Sequence, residues 1–323
     1  MEKFSQFRDR GSGISPFIPA TTSASLPSTL LYTLIFLLRA PLFVPFALLC
    51  VLPLSPILPA FLRKLLLWFV LFIPGIWWVD LQLDNVKRGS LSQQPPSRMP
   101  QPGSIIAANF TSPIDAIYLA AVFDPVFVAT YPGTRKVRRI SLLSAVLAAL
   151  SGAVPTSPPT GKDLTTLKAL RERYPNRILA VFPESGTTNG KGILPLSPGL
   201  ISAPVDALIF PVSIRYTPPD ITTPVPGDYL GFLWRLLGRP THTIRVRIAE
   251  GMHNTAHAVN GIPPAGTAER RSSGGDEAVT AEEQNLLDAV GEALARLGRV
   301  KRVGLTLKDK KAFVAAWNKK GSR

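Results

Sequence analysis

Apolar positions in this chain fall into two regimes. From Leu30 to Leu54 they run almost unbroken, with Arg39 the one charge, and a second run from Leu65 to Trp78 follows Arg63-Lys64. The first run is long enough to cross a bilayer, and the second is short. Pro41, Pro45, Pro53, Pro56, Pro59 and Pro74 crowd this region, and each removes a backbone donor and kinks a helix. Three arrangements fit: two transmembrane helices, a bent hairpin that enters and leaves one leaflet, or a pair of buried core helices. The short second run and the proline-rich bend favour the one-leaflet hairpin, with Trp68, Trp77 and Trp78 near the interface.

From about Asp80 the pattern changes to short apolar runs alternating with helical stretches. Ser104 to Ala108, Val126 to Thr130, Ala153 to Pro155, Ile178 to Phe182, Leu208 to Tyr216 and Thr243 to Ile248 read as strands. Helices are expected over Pro113 to Phe123, capped by Ser112 with Pro113 in the first turn, and over Ser141 to Leu150, Asp163 to Arg173 and Tyr229 to Leu237. Thr280, with Glu283 three residues on, begins a capping-box helix to about Leu297, and Thr306 begins a last helix bearing Phe313 and Trp317. This order predicts an α/β fold: a mixed, largely parallel sheet flanked by helices, with an N-terminal membrane-embedded helical hairpin. The expected division is a disordered N-terminus over 1–28, the apolar head over 29–79, the α/β domain over 80–260, a linker over 261–278 and a basic helical tail over 279–323.

Composition sharpens the picture. Among 323 residues, 36 Lys plus Arg face 21 Asp plus Glu, a net charge of +15, while 46% of residues are hydrophobic. Basic and apolar together point to an anionic membrane surface as a partner. Arg299 to Arg323 holds nine basic residues and one acid, Asp309, which suits anionic lipid or a solvated tail. No nucleic acid is expected, because no module interleaves aromatic with basic residues. Cys50 is alone, so no disulfide framework or cysteine metal cluster is expected, and the domain should face the cytosol.

Two polar stretches could carry chemistry. Ile178 to Phe182 delivers Pro183-Glu184 and the turn Ser185-Gly186-Thr187-Thr188-Asn189-Gly190, with Lys191 just beyond. Such a turn offers amides, hydroxyls and glycines that can bend around an anion, though an ordinary tight turn has the same composition. The other stretch, Asn109-Phe110-Thr111-Ser112-Pro113-Ile114-Asp115, leaves a buried strand and enters a helix. Ligands of open α/β sheets bind at that strand edge, but a carboxylate such as Asp115 is also favoured in a helix's first turn for structural reasons alone.

These blocks, in this order, resemble the glycerolipid acyltransferase family typified by lysophosphatidic acid acyltransferases. Asn109, Ser112 and Asp115 match one family block. Phe182, Pro183, Glu184, Thr187, Asn189 and Gly190 match a second, and Pro211-Val212 with Ile214-Arg215-Tyr216 a third. The likeness spans about residues 100–220. It implies acyl transfer from acyl-coenzyme A, a cosubstrate, to a lysophospholipid, chiefly lysophosphatidic acid, with no metal or bound cofactor. It implies a catalytic role for Asp115. It implies substrate binding by Asn109, Ser112, Glu184, Ser185, Gly186, Thr187, Thr188 and Lys191. The expected location is a membrane, at the endoplasmic reticulum or, for a one-leaflet hairpin, a lipid droplet, with the catalytic domain facing the cytosol.

Three departures qualify this. Phe110 stands where the family has its histidine base, and phenylalanine accepts no proton. Asp115 acting directly, or His242, His253 or His257 reaching in, would compensate; otherwise the chain is a catalytically silent relative that binds anionic lipid or scaffolds at a membrane. Ser185-Gly186 replaces Gly-Thr, so the glycine has moved one place. Thr156 to Gly161 lacks the family's phosphate-holding arginine, leaving Lys162 and the basic run Arg135-Lys136-Val137-Arg138-Arg139 as cations that could serve.

Overall fold

In the computed structural model of this protein, the alternating runs build a nine-stranded mixed sheet with helices on both faces. The structure describes residues 2–20, 22, 25–51, 59–86, 90, 93–151, 163–254 and 279–321. The strands are β1 (Ile76–Leu83), β2 (Ile105–Ala108), β3 (Val126–Thr130), β4 (Val137–Ile140), β5 (Leu164–Thr165), β6 (Leu179–Val181), β8 (Leu208–Thr217), β9 (His242–Ile248) and β10 (Met252–His253). β7 (Gly192–Ile193) and β11 (Lys301–Arg302) pair as a separate two-stranded sheet. The main order is β1-β9-β8-β2-β6-β3-β4-β5, with β10 against β8. β8, β2, β6 and β3 run parallel, with Ile105 opposite both Leu179 and Ile209. β9, β4 and β10 run antiparallel to their neighbours β8 and β3.

Side-chain alternation along the parallel strands divides the core. Ile106, Ala108, Ala180 and Phe182 face α2 (Ala60–Phe72), α3 (Pro113–Phe123), α4 (Leu142–Ser151) and α6 (Tyr229–Gly238). Ile105, Ala107, Leu179 and Val181 face α5 (Leu167–Arg173) and α7 (Ala281–Gly298). The α3 cap is as expected: Ser112 Oγ accepts from the Ile114 amide, and Asp115 closes a capping box. Thr280 and Glu283 do the same for α7.

Several expectations are corrected. The second apolar run is not one helix. α2 ends at Phe72, Gly75 turns the chain at φ +87°, and β1 follows. A Cβ at Gly75 would lie 2.5 Å from the Pro240 carbonyl oxygen, so only glycine permits this approach. The sheet domain therefore starts at Ile76, before the expected boundary. α5 starts at Leu167 with Thr166, not Asp163, as its cap. The basic run at 135–139 is largely strand β4, paired between β3 and β5, rather than loop. The expected strand at 153–155, Lys162 and the linker at 261–278 lie outside the described residues.

The N-terminal residues, expected to be disordered, are packed. Phe4, Phe7 and Phe17 are buried around Phe313 of α8 (Leu307–Gly321), with ring centroids 5.4, 5.3 and 6.0 Å from it. Asn189 of the polar turn fastens the same segment. Its amide donates to Pro16 O at 2.8 Å, and its Nδ2 donates to Ser15 O at 2.7 Å and Ile18 O at 2.8 Å.

The apolar head begins with α1 (Leu26–Val51), whose stretch Leu26–Leu49 is long and apolar enough to cross a membrane. α2, at 13 residues, is too short to do so. α1 lies against α2 and α6, and Arg39 pins it there. That guanidinium donates to four backbone carbonyls, those of Pro74 (3.2 Å), Leu237 (3.3 Å), Arg239 (2.5 Å) and Pro240 (2.9 Å). Leu34, Leu38, Phe61, Trp68, Phe72, Trp77 and Trp78 remain exposed on α1, α2 and β1.

Truncating Phe313 to alanine removes the ring around which three other phenylalanines pack. The expected cost is about 3–5 kcal/mol, read as a lower midpoint of thermal unfolding, with faster hydrogen exchange over residues 4–18 and α8.

Candidate functional site

The two polar stretches leave adjacent parallel strands, β2 and β6, and meet at their carboxyl ends. Glu184 ties them together. Its Oε1 accepts from the Phe110 amide at 3.2 Å, and its Oε2 accepts from the Leu194 amide at 3.0 Å. The Thr188 amide returns a bond to Phe110 O at 3.0 Å. Glu184 is 1% exposed, and burial raises its pKa to about 7 against the pull of those amides. The separation in sequence, 74 residues from Phe110 to Glu184, is closed by a buried carboxylate and two amides.

Asp115 is fully buried and fully engaged. Its Oδ2 accepts from the Thr111 amide (2.7 Å), Thr111 Oγ1 (3.1 Å) and the Ser112 amide (2.8 Å), and its Oδ1 accepts from the Tyr216 hydroxyl. Burial raises its pKa to about 6, and these donors oppose the rise. Burial also pushes the Tyr216 hydroxyl well above its ordinary range, with the Asp115 charge adding to it. Asn109 Nδ2 donates to Ile214 O (2.9 Å) and its Oδ1 accepts from the Ile214 amide (2.7 Å); Ser112 Oγ donates to Ile221 O (2.8 Å). These three side chains hold the turn to β8 and to the loop after it.

A cavity of about 190 Å³ opens beside the meeting point, lined by Phe110, Phe182, Thr130, Gly186, Thr187 and Lys310 among others. The rings of Phe110 and Phe182 stack at 4.3 Å and 22° and form its apolar wall. Ser185 adopts φ +55°, a left-handed conformation, and its Oγ lies 2.7 Å from Thr130 Oγ1. Thr187 Oγ1 donates to Thr223 O at 2.6 Å, and the Gly190 amide donates to Thr188 Oγ1 at 3.3 Å. Among the described residues, the Gly186 and Thr187 amides meet no acceptor. A second, almost wholly apolar cavity of about 180 Å³ lies on the other side of α4, between α1, α2, α3 and α6.

The structure thus brings Asn109, Ser112, Asp115, Glu184, Ser185, Gly186, Thr187 and Thr188 together. Of these, Ser185, Gly186 and Thr187 face the first cavity. Asp115 lines none of the described cavities. Lys191 is exposed, its amide donating to Asn189 Oδ1 at 3.0 Å. His242 is buried at the start of β9 against Leu236 O, 2.8 Å away, and burial lowers its pKa; His253 lies beside Val205 O. Neither lines the cavity that Phe110 faces, and His257 is outside the described residues. In the basic run, Arg135 pairs with Glu283 at 2.8 Å and Arg139 stacks on Tyr174.

Sequence reasoning missed Lys310. Its Nζ, buried from α8, donates to Thr187 O at 2.7 Å and Thr187 Oγ1 at 2.9 Å. A trace of it was visible. Leu307, Lys310, Phe313, Val314 and Trp317 share helical spacing, so the lysine stands on the apolar stripe. Among the described residues, no group of three or more His, Cys, Asp or Glu side chains is placed to hold a metal.

Comparison with known proteins adds four findings. Residues 84–215 match the family model described as Acyltransferase. A candidate lysophosphatidic acid:oleoyl-CoA acyltransferase of Schizosaccharomyces pombe is 28% identical over 335 residues, covering 99% of each chain. Lysophosphatidic acid:oleoyl-CoA acyltransferase 1 of Saccharomyces cerevisiae is 25% identical over 198 residues, 61% of each. The crystal structure of the 1-acyl-sn-glycerophosphate acyltransferase PlsC of Thermotoga maritima aligns at 18% identity and TM-score 0.41, over 84% of this chain and 95% of that one.

Ser185 supplies a test of the turn. Glycine at 185 would lose the bond to Thr130 but relieve the left-handed backbone, whereas alanine would lose the bond and keep the strain. Ser185→Ala is therefore expected to be less stable than Ser185→Gly by about 1–2 kcal/mol, measured by denaturant midpoints of the two variants side by side.

Proposed function

From the premise that this chain belongs to the glycerolipid acyltransferase family, we propose that it transfers an acyl group from acyl-coenzyme A to the hydroxyl of a lysophospholipid, lysophosphatidic acid first among acceptors. One observation carries this reading. The two family blocks, far apart in sequence, are bound to each other at one sheet edge around a cavity that is apolar on one wall and polar on the other. The name of the Schizosaccharomyces pombe relative, similar along nearly its whole length, supports the choice of acceptor and donor.

In this reading the acceptor's phosphate lies on the Glu184 to Gly190 turn, where the Gly186 and Thr187 amides have no protein acceptor and Lys191 adds charge at the surface. The acyl chain lies against α4 in the apolar cavity. The acceptor oxygen attacks the thioester carbonyl carbon, the carbon–sulfur bond breaks, and the hydroxyl proton ends on the departing sulfur, so coenzyme A leaves as the free thiol. Proximity in such a site supplies much of the rate even without a proton acceptor. Asp115, held by four donors and away from the cavity, suits a positioning role for the Phe110 turn better than the proton-accepting role its motif position suggests. Acyl-coenzyme A enters as a cosubstrate, and the reading needs no resident cofactor.

The head lies in one leaflet in this proposal. Arg39 occupies the middle of α1 but is engaged with carbonyls of the α/β domain, which keeps its charge out of hydrocarbon. Exposed Trp77 and Trp78 at the start of β1 suit the interface. Lys308, Lys311 and Lys319 are exposed on α8, each worth about 1 kcal/mol near anionic lipid. The endoplasmic reticulum and the lipid-droplet monolayer fit such a head, with the site facing the cytosol.

Two measurements check these points. Full-length protein in liposomes, given labelled oleoyl-coenzyme A, is expected to acylate lysophosphatidic acid faster than lysophosphatidylcholine; no transfer to either lipid would leave a lipid-binding relative without catalysis. Leu34 and Leu38 are 66% and 71% exposed on α1, so Leu34→Asp with Leu38→Asp should leave folding intact. The pair should abolish flotation with vesicles containing phosphatidic acid, and unchanged flotation would place the membrane contact elsewhere.

A further inference from the structure

We propose that Lys310 is the proton acceptor of this site, delivered by the last helix into the cavity whose wall carries Phe110 in place of a histidine. This rests on the acyl-transfer reading above. Lys310 is 1% exposed, while its neighbours Lys308 and Lys311 point to solvent. It lines the cavity together with Phe110, Phe182 and Thr187.

The hydrogen bonding suits a neutral amine. Thr187 Oγ1 donates to Thr223 O, so its lone pairs face the lysine and it must accept from Nζ. Thr187 O accepts the second N–H. An amine with both hydrogens matched in this way keeps its lone pair for a third partner in the cavity. An ammonium there would have no carboxylate at ion-pair distance; among the described residues none lies within 4 Å of Nζ.

The turn is shaped to admit the lysine. A Cβ at Gly186 would come within 2.6 Å of Leu307 Cδ2 and 3.7 Å of Lys310 Nζ. The displaced glycine of this turn is therefore where α8 closes on it, and Ser185 takes the left-handed backbone instead.

Burial lowers the lysine's pKa to about 7, and the Glu184 charge acts in the opposite sense. Tyr131 is the other titratable group in the cavity wall. Lys308 and Glu184 both line the adjoining cavity, Asp309 is bound to Thr306, and the N-terminal segment packed on α8 presents phenylalanines. The neutral fraction thus grows as pH rises through about 7.

The step balances within the site. As the acceptor oxygen bonds to the thioester carbon, its proton passes to the Lys310 nitrogen. As the carbon–sulfur bond breaks, the resulting ammonium returns that proton to the thiolate, leaving free coenzyme A and a neutral lysine.

The experiment uses full-length protein in liposomes with labelled oleoyl-coenzyme A and lysophosphatidic acid. It compares the native chain with Lys310→Met, Lys310→Arg and Lys310→Met combined with Phe110→His. Native kcat is expected to rise with pH through about 7 and then level. Lys310→Met and Lys310→Arg should each lower kcat about 10²–10⁴-fold, with KM for the donor little changed and the pH limb gone, because arginine keeps the charge but releases no proton near neutrality. Adding Phe110→His to Lys310→Met should restore part of kcat and a pH limb, which a merely structural lysine would not allow. Activity of folded Lys310→Arg or Lys310→Met within a few-fold of native overturns the assignment while leaving acyl transfer standing. If neither variant folds, the native profile decides: a flat kcat between about pH 6 and 8 overturns it. A native protein that transfers no acyl group overturns both readings together.

Discussion

The buried carboxylate of Glu184 is the joint on which this molecule turns. It has no solvent to satisfy it, and it takes the Phe110 amide from one loop and the Leu194 amide from the far side of its own. Leaving either amide unpaired in this interior would cost about 1–3 kcal/mol. The loop after β2 and the loop after β6 are therefore not free to separate. Everything nearby inherits their register: the stacked phenylalanines, the cavity beside them, and the contact of Asn189 with the N-terminal segment.

Local rules made much of this legible. Ser112, Pro113 and Asp115 announce the start of α3, and Thr280 with Glu283 announces α7, because caps act within one helical turn. The central strands read correctly because buried parallel strands are short apolar runs bounded by breakers. The meeting of the two polar turns at one sheet edge was legible in the strands that hand over to them. What escaped depends on distant partners. β1 hides at the end of an apolar run and becomes a strand through pairing with β9, far along the chain. Phe4, Phe7 and Phe17 sit among polar residues and find their core in Phe313. Lys310 looks like one cation in a basic tail until α8 is seen to bury it.

Phe110 offers its turn no polar side chain, and the nearby Asp115 carboxylate is bound by Tyr216, Thr111 and Ser112. The phenylalanine instead stacks on Phe182 and extends the apolar wall toward Phe127. Asp115 lies away from the cavity, whose polar character comes from Thr130, Ser185, Thr187 and the lysine of α8.

That lysine lies 123 residues beyond the threonine it touches. During translation the long apolar helix α1 emerges early and the α/β sheet follows, while the lysine that completes the cavity wall leaves the ribosome long afterwards. A nascent chain can thus join both loops before the wall of its cavity is complete. The fold thus leaves the closing of its cavity to the last helix to be made.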